Sequence, residues 1–447
     1  MPTDHSSSPE EVLRPSWMLV GNQLLSGMEL VVSEGLITAI RPSSLPLNLP
    51  GRLLMPGFVN AHSHAFQRGI RGHVQHAVGQ DDFWSWRERM YTLAATLSPE
   101  GLEAVSALAY LEMLQAGFTS VGEFHYVHHQ PDGTPYADRT ELAQRVFAAG
   151  DEVGLRVCLL RVAYARAGAG KEALPEQRRF CDSDMDIVLE DLNTLAQQEE
   201  SRFSVGLAAH SVRALRLDQL RVLSRYEGVV HAHVDEQPSE IEQCLAEHGC
   251  RPLALFEQAG LLTERFAAVH FTHPDRHEID LLRRSGAKVV ACPTTEMDLG
   301  DGFLPIEALS GVSISIGTDS HVRIDPLAEL RALEWHARAR LGRRCVTRQS
   351  EDPEALAMGL LHNGTRAGAD ALGLDTGVLE VGKAADLIAV DCEVTPLCSG
   401  PLATNWVFSG QPSFVREVWV EGEQLLWDGR HLHEEQIRAT ALPYLEK

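Results

Sequence analysis

The chain has 447 residues, of which 44% are apolar, and a formal net charge of −23. Length and composition allow one large domain plus a smaller one around a sizeable core, and exclude a disordered chain. The acidic balance excludes nucleic acid or an anionic membrane as partner, because both need a basic surface.

Residues 1–15 and 435–447 are polar ends, expected to lie at the periphery. The opening MPTDHSSSPEEV lacks the basic and apolar regions of a signal peptide, and no apolar run approaches the roughly 18 residues of a membrane helix. Eight cysteines (158, 181, 244, 250, 292, 345, 392 and 398) stand without a CxxC pair and read as buried thiols of a reducing compartment. A cytoplasmic location is the expectation.

From 17 to 55, WMLVGNQLL and MELVVSEGLITAIR alternate apolar and polar residues between glycines, the pattern of antiparallel strands. Eight apolar, β-branched segments follow, at 53–62, 119–127, 155–164, 202–212, 229–236, 266–273, 288–295 and 313–320. Helix-like stretches separate most of them. In SPEGLEAVSALAYLEMLQAG, Ser98 can cap, Pro99 opens the first turn and Gly117 closes the last. Eight such alternations predict a (β/α)8 TIM barrel, an α/β fold whose chemistry sits where strands end. No glycine fingerprint supports a doubly wound sheet instead. Segments from about 375 to 434, such as ADLIAVD and VREVWVEGEQLLWDG, return to the antiparallel pattern. The expected organisation is therefore 1–55 as the N-terminal part of a small β-sandwich, 56–372 as the barrel, and 373–447 as the C-terminal part of the sandwich and a tail.

Polar groups that bind metal or move protons gather at the strand ends: His62 and His64, His125, His210, His231 and His233 with Glu236, His270 with His273, Glu296, and Asp319. In NAHSHAFQR, His62 and His64 alternate with Ser63, so both imidazoles point to one side of a strand. A catalytic zinc takes a few N/O ligands and keeps a position for water. His62, His64, His233 and Asp319 supply such a set.

With NAHSHAFQRGIRG, FWSWRERMY, GEFHYVHH, AAHSVRAL, HAHVDEQ, VHFTH, TTEMDLGDG, GTDSHV and GKAADLIAVD, the chain from about 50 to 430 resembles the amidohydrolase superfamily. Within it, the chain is most similar to the N-formimino-L-glutamate deiminases. The resemblance implies one divalent ion, zinc, held by His62, His64, His233 and Asp319. It places the ligand at the second histidine of HAH, so His231 is the lesser candidate. Relatives that bridge two ions use a lysine after strand four; the only lysines here are 171, 288, 383 and 447, and His210 stands at that point.

The resemblance further implies Asp319 as base, His270 as the group that steadies the attacking hydroxide, and Glu236 as proton carrier. Gln67, Arg87, Tyr126, His210 and Arg213 match the family's substrate contacts, the two arginines holding carboxylates of a formimino dicarboxylic amino acid. A homodimer is expected. His125, His128, His129 and His273 read as structural or supporting groups. Three positions depart from the family pattern: Met297 and Asp298 replace an Ala-Asn pair, and Asp235 in HVDEQ stands where an alanine is more usual; an extra carboxylate near the mouth is expected to disfavour a dianion. The alternatives are a sister deaminase of another formimino or amidine compound, of a nucleobase or of a triazine, and a barrel that holds a structural metal or serves as a non-catalytic binding partner. The joint presence of Glu236, His270 and Asp319 argues against the last, since a structural zinc needs no proton carrier.

Overall fold

The computed structural model describes residues 10–74, 83–394, 397 and 399–445. Cys398 and the outermost parts of both expected tails, 1–9 and 446–447, lie outside the described residues. Eight parallel strands pair in sequence order: one (Phe58–Ser63), two (Phe118–His125), three (Arg156–Ala163), four (Phe203–Ala209), five (Val230–Val234), six (Phe266–His270), seven (Lys288–Ala291) and eight (Ile314–Ile316). All eight expected segments contribute a barrel strand. They are buried nearly end to end, as strands covered on both faces must be.

The barrel closes just beyond strand eight. The N–H of Asp319 donates to the carbonyl of His62 at 3.0 Å, and the N–H of His64 donates to the carbonyl of Asp319 at 3.1 Å. Gly317 permits this approach: a Cβ there would lie 2.7 Å from His62 Cβ and 2.8 Å from its carbonyl oxygen.

The helix Pro99–Gln115 forms as its sequence signals require. Ser98 Oγ accepts the N–H of Gly101 at 3.1 Å, Pro99 occupies the first turn, and Gly117 takes the left-handed conformation that ends it, with φ +95°.

Strands from both chain ends form the second unit. A seven-stranded sheet runs Arg430–His431, Glu423–Trp427, Val415–Val420, Leu387–Asp391, Leu49–Pro56, Pro15–Val20, Gln23–Leu25. A three-stranded sheet of Glu11–Leu13, Met28–Ser33 and Leu36–Pro42 packs on it, and Leu13, Met18, Leu30, Ile37, Leu54, Leu387 and Trp419 share one core. This is the expected sandwich. Arg156 at the start of barrel strand three ties it down, donating to both oxygens of buried Asp386 at 2.8 and 3.1 Å.

Three expectations need correction. The segment 53–62 is two strands, because Leu49–Pro56 pairs with Leu387–Asp391 in the sandwich and only Phe58 onward joins the barrel. Both pieces are fully buried, so one continuous apolar run hides the break at Gly57. The sandwich is not wholly antiparallel, since Pro15–Val20 runs parallel to Leu49–Pro56. The tails are not peripheral: Glu11–Leu13 is a paired strand, and Glu434–Leu445 is a helix packed on Pro99–Gln115. Ile437 and Ala441, one turn apart, are its buried contacts.

Among the described residues no helix is long and apolar enough to cross a membrane. The seven described cysteines are free thiols; Cys158, Cys244, Cys292 and Cys392 are buried as expected, whereas Cys181, Cys250 and Cys345 are half-buried at element ends.

Candidate active site

The ends of strands one, five and eight bring four donor groups to one point. His62 Nε2 and His64 Nε2 each lie 3.3 Å from Asp319 Oδ1, and His62 Nε2 lies 3.2 Å from His233 Nε2. Ligands at about 2.0–2.1 Å from a tetrahedral zinc stand roughly 3.3 Å apart, which these three spacings match; His62, His64 and His233 form one close group of donors and His62, His270 and Asp319 another. His64 Nδ1 donates to the carbonyl of Phe124 at 3.0 Å, which orients the ring with Nε2 toward the cluster. Burial pulls His62 down to about 3 and His233 well below the ordinary histidine value, so both rings are neutral at neutral pH. Burial raises Asp319, but hydrogen bonds from His62 and His64 outweigh it and hold the carboxyl well below its usual range.

The non-ligand residues of the two motifs stitch these loops together. Asn60 Nδ2 donates to Thr318 Oγ1 at 2.7 Å, and Asn60 Oδ1 accepts the Thr318 N–H at 2.9 Å. His321 lies 3.2 Å from Ser63 Oγ and 3.0 Å from Thr318 Oγ1. Glu123, on strand two, accepts from Ser63 Oγ at 2.6 Å and from the Ala65 N–H at 2.7 Å. Asp235, His270, Phe271, Asp319 and His321 all hold left-handed backbone, with φ from 48 to 71°. Such conformations cost about 1 kcal/mol or more for most side chains and gather where chemistry is done.

Around the cluster opens a cavity with about 680 Å³ of empty space, its open mouth included, lined by His64, Asp319, His233, Glu236 and His270 and by Arg87, Arg213, Tyr126 and His210. Of the residues expected to touch substrate, Gln67 alone is not in the lining; it is buried behind Tyr126 and donates to its hydroxyl at 2.7 Å. His210 packs between the rings of Tyr164 and His233, with centroids 4.7 and 5.0 Å away. Arg87 lies on the helix Phe83–Thr96, its guanidinium carbon 5.5 Å from the ring centre of Tyr91. Arg213 donates to Glu236 Oε2 at 2.7 Å.

His270 stacks on His233, with Nδ1 3.4 Å from Glu296 and Nε2 3.9 Å from Glu236. Burial pulls its imidazole down, yet hydrogen bonding to Glu296 and the charges of Glu236 and Asp319 prevail and raise it to about 10.

Other strand-end histidines turn elsewhere. His231 Nε2 donates to the Ala371 carbonyl at 2.9 Å, His128 Nε2 to Val162 at 2.9 Å, His129 Nε2 to Cys181 at 3.0 Å, and His273 Nε2 to Asp301 at 2.5 Å. His125 is buried against the His128 ring. Met297 and Asp298 are both exposed and outside the cavity lining, to which the helix Pro293–Leu299 contributes Leu299. Sequence reasoning missed Tyr164, Trp86, Met90 and Phe180 in the lining, and Glu123 behind it. Glu123 carried a signal in its place inside GEFH, and Trp86 and Met90 in theirs inside FWSWRERMY.

The amidohydrolase family model matches residues 53–425. A formimidoylglutamate deiminase of Pseudomonas aeruginosa is 39% identical over 91% of this chain and 92% of its own length. A 5-methylthioadenosine/S-adenosylhomocysteine deaminase of Natronomonas pharaonis is 29% identical over 86% of this chain and 83% of that protein. Among solved structures, an amidohydrolase from Brucella melitensis superposes with a TM-score of 0.90 at 33% identity, covering 98% of this chain and 99% of that one. With its barrel, its cluster of histidines and aspartate, and these likenesses, the chain belongs to the amidohydrolase family and is a deaminase-type hydrolase of C=N bonds.

Proposed function

We propose that the enzyme hydrolyses the formimino group of N-formimino-L-glutamate to N-formyl-L-glutamate and ammonia, with one zinc ion per chain. The observation that carries this reading is the placement of two guanidinium groups, Arg87 and Arg213, in the cavity of a chain with net charge −23. A dicarboxylate calls for such forks, and a neutral nucleobase does not. Likeness to a formimidoylglutamate deiminase over nine-tenths of the chain points the same way.

His62, His64, His233 and Asp319 are the residues that hold the ion. Bound there, zinc acts as a Lewis acid that brings the pKa of water from ~15.7 toward ~7, so that hydroxide is available at neutral pH. Asp319 accepts the proton of the attacking water, and His270, next to both Asp319 and Glu236, steadies the oxygen as it meets the formimino carbon. Glu236 passes a proton to the imino nitrogen, and as the C=O bond forms and the C–N bond breaks the remaining proton on the former water oxygen goes to the departing ammonia, so that both protons of the water leave on nitrogen. Arg213 and Arg87 orient the substrate by its carboxylates, with Tyr126 and His210 beside them and Gln67 fixing the Tyr126 hydroxyl.

The aromatic wall of Trp86, Tyr91, Tyr126, Tyr164 and Phe180 favours a second reading, a planar heterocycle as substrate. Ammonia release from a panel of formimino amino acids and nucleobases decides between them. Turnover of adenosine-type compounds but not of formiminoglutamate would overturn the first.

A further inference from the structure

Glu240 is a carboxylate that the proposed reaction leaves unused. It lies in the first turn of the helix Pro238–His248 with its side chain wholly buried. One oxygen, Oε2, accepts the N–H of Glu236 at 3.1 Å; the other, Oε1, sits 3.9 Å from Arg213 Nε and has no hydrogen-bond partner. Arg213, at the same time, holds Glu236 at 2.7 Å. A guanidinium assigned to a substrate carboxylate therefore already faces two carboxylates of its own chain.

We propose that Glu240 is a positioning residue that shares Arg213 with the substrate and takes up a proton as the substrate carboxylate binds. The inference deepens the proposed function and rests on its assignment of Arg213. Arg213 is one positive charge already shared by two carboxylates, and a third arriving beside it adds negative charge to a buried site, which is costly. Protonating Glu240 removes that charge without moving Glu236, whose backbone the neutral acid still holds.

The titratable groups around Glu240 are Arg213 and Glu236, which face it directly, with Asp235, His270 and Cys244 further out. Burial raises Glu240 more than Arg213 lowers it, leaving it at about 7. The sign follows. A new anion raises this value further, so binding favours the protonated form. KM then stays level below about pH 7 and rises above it, by up to about tenfold per pH unit.

The test compares the zinc-loaded wild type with Glu240→Gln and Glu240→Ala, measuring kcat and KM for formiminoglutamate from roughly pH 6 to 9, the window around the Glu240 value. Calorimetry with glutarate, in two buffers of different ionisation enthalpy, counts protons taken up on binding. In the wild type KM rises with pH and glutarate brings a proton. In Glu240→Gln, which is permanently neutral, the rise in KM and the proton uptake both vanish. Glu240→Ala also loses the acceptor for the Glu236 N–H, and so loses more kcat than Glu240→Gln.

A Glu240→Gln enzyme that keeps the wild-type rise in KM overturns the proposal. So does glutarate that fails to bind the wild type or binds without a proton, a result that needs neither variant to fold. Absence of ammonia release at every pH counts against the substrate reading, and the glutarate measurement still judges Glu240.

Discussion

The backbone N–H of Asp319 donates to the carbonyl of His62 at 3.0 Å, while their side chains meet 3.3 Å apart. The first and last strands of the barrel are thus joined twice, once by main chain and once by the side chains proposed to hold the ion. Closing the barrel and assembling the site are one event.

Removing a donor should therefore empty the site. His62→Ala, His233→Ala and Asp319→Asn are each expected to lose activity and bind less metal, because each withdraws one of four ligands. Elemental analysis of the wild type should return about one zinc per chain. Two tightly held ions would sink the assignment.

Glu236→Gln separates chemistry from binding. The amide keeps the size of the side chain but cannot carry a proton, so kcat should fall by about 10²-fold or more. Metal content should stay near that of wild type, while the melting temperature should fall somewhat, because the amide gives up the ion pair with Arg213. Turnover within a few-fold of wild type would refute the role given to Glu236.

Arg213→Met tests the carboxylate contact. Truncating one partner of a buried charge pair costs roughly 2 to 5 kcal/mol, on the order of 30-fold to several-thousand-fold in kcat/KM. The same change leaves Glu236 and Glu240 without their shared cation, so a lowered melting temperature is expected alongside it. An ester of the carboxylate bound by Arg213 discriminates. It should be a poor substrate of the wild type and lose little more in the variant. Equal losses for acid and ester would mean that Arg213 acts on structure alone.

Gly317→Ala is expected to disturb the closure. Its methyl carbon would stand 2.7 Å from His62 Cβ, well inside normal contact, so strands one and eight must separate. A loss of about 1–3 kcal/mol in chemical denaturation is the expected size of such overpacking. Zinc affinity should fall with it, because His62 and Asp319 move apart together. An unchanged midpoint and metal content would show that the loop yields at no cost.

Several features of the site were legible because they are local. The alternation that puts His62 and His64 on one side follows from the pleat of a strand, whatever the strand packs against. The helix at Pro99–Gln115 is signalled by Ser98, Pro99 and Gly117, each acting on the turn it touches. Alternating strand and helix segments sufficed for the barrel, since parallel strands need crossovers that cover both faces.

The break at Gly57 was not legible in the same way. A strand that leaves one sheet and a strand that enters another share the same apolar pattern when both are buried. The ends of the chain misled for a related reason: Val12 and Leu13 or Ile437 and Ala441 are too few to read as an element until partners 20 or 300 residues away supply the other side.

The sequence by itself determined which candidate groups would meet at the strand ends: two histidines at the end of strand one, a third histidine, an aspartate and two arginines. Their chemistry is set by side-chain type and local spacing. Only the tertiary structure decided how charge is shared among them. That Arg213 holds Glu236, that Glu240 stands behind both, and that Asp298 points away from the cavity depend on how a loop after strand four, a helix after strand five and a helix after strand seven are aimed. Such aim is fixed by long-range packing, and electrostatic energies inside a protein change with every ångström and every layer of burial, so no reading of spacing along the chain reaches them.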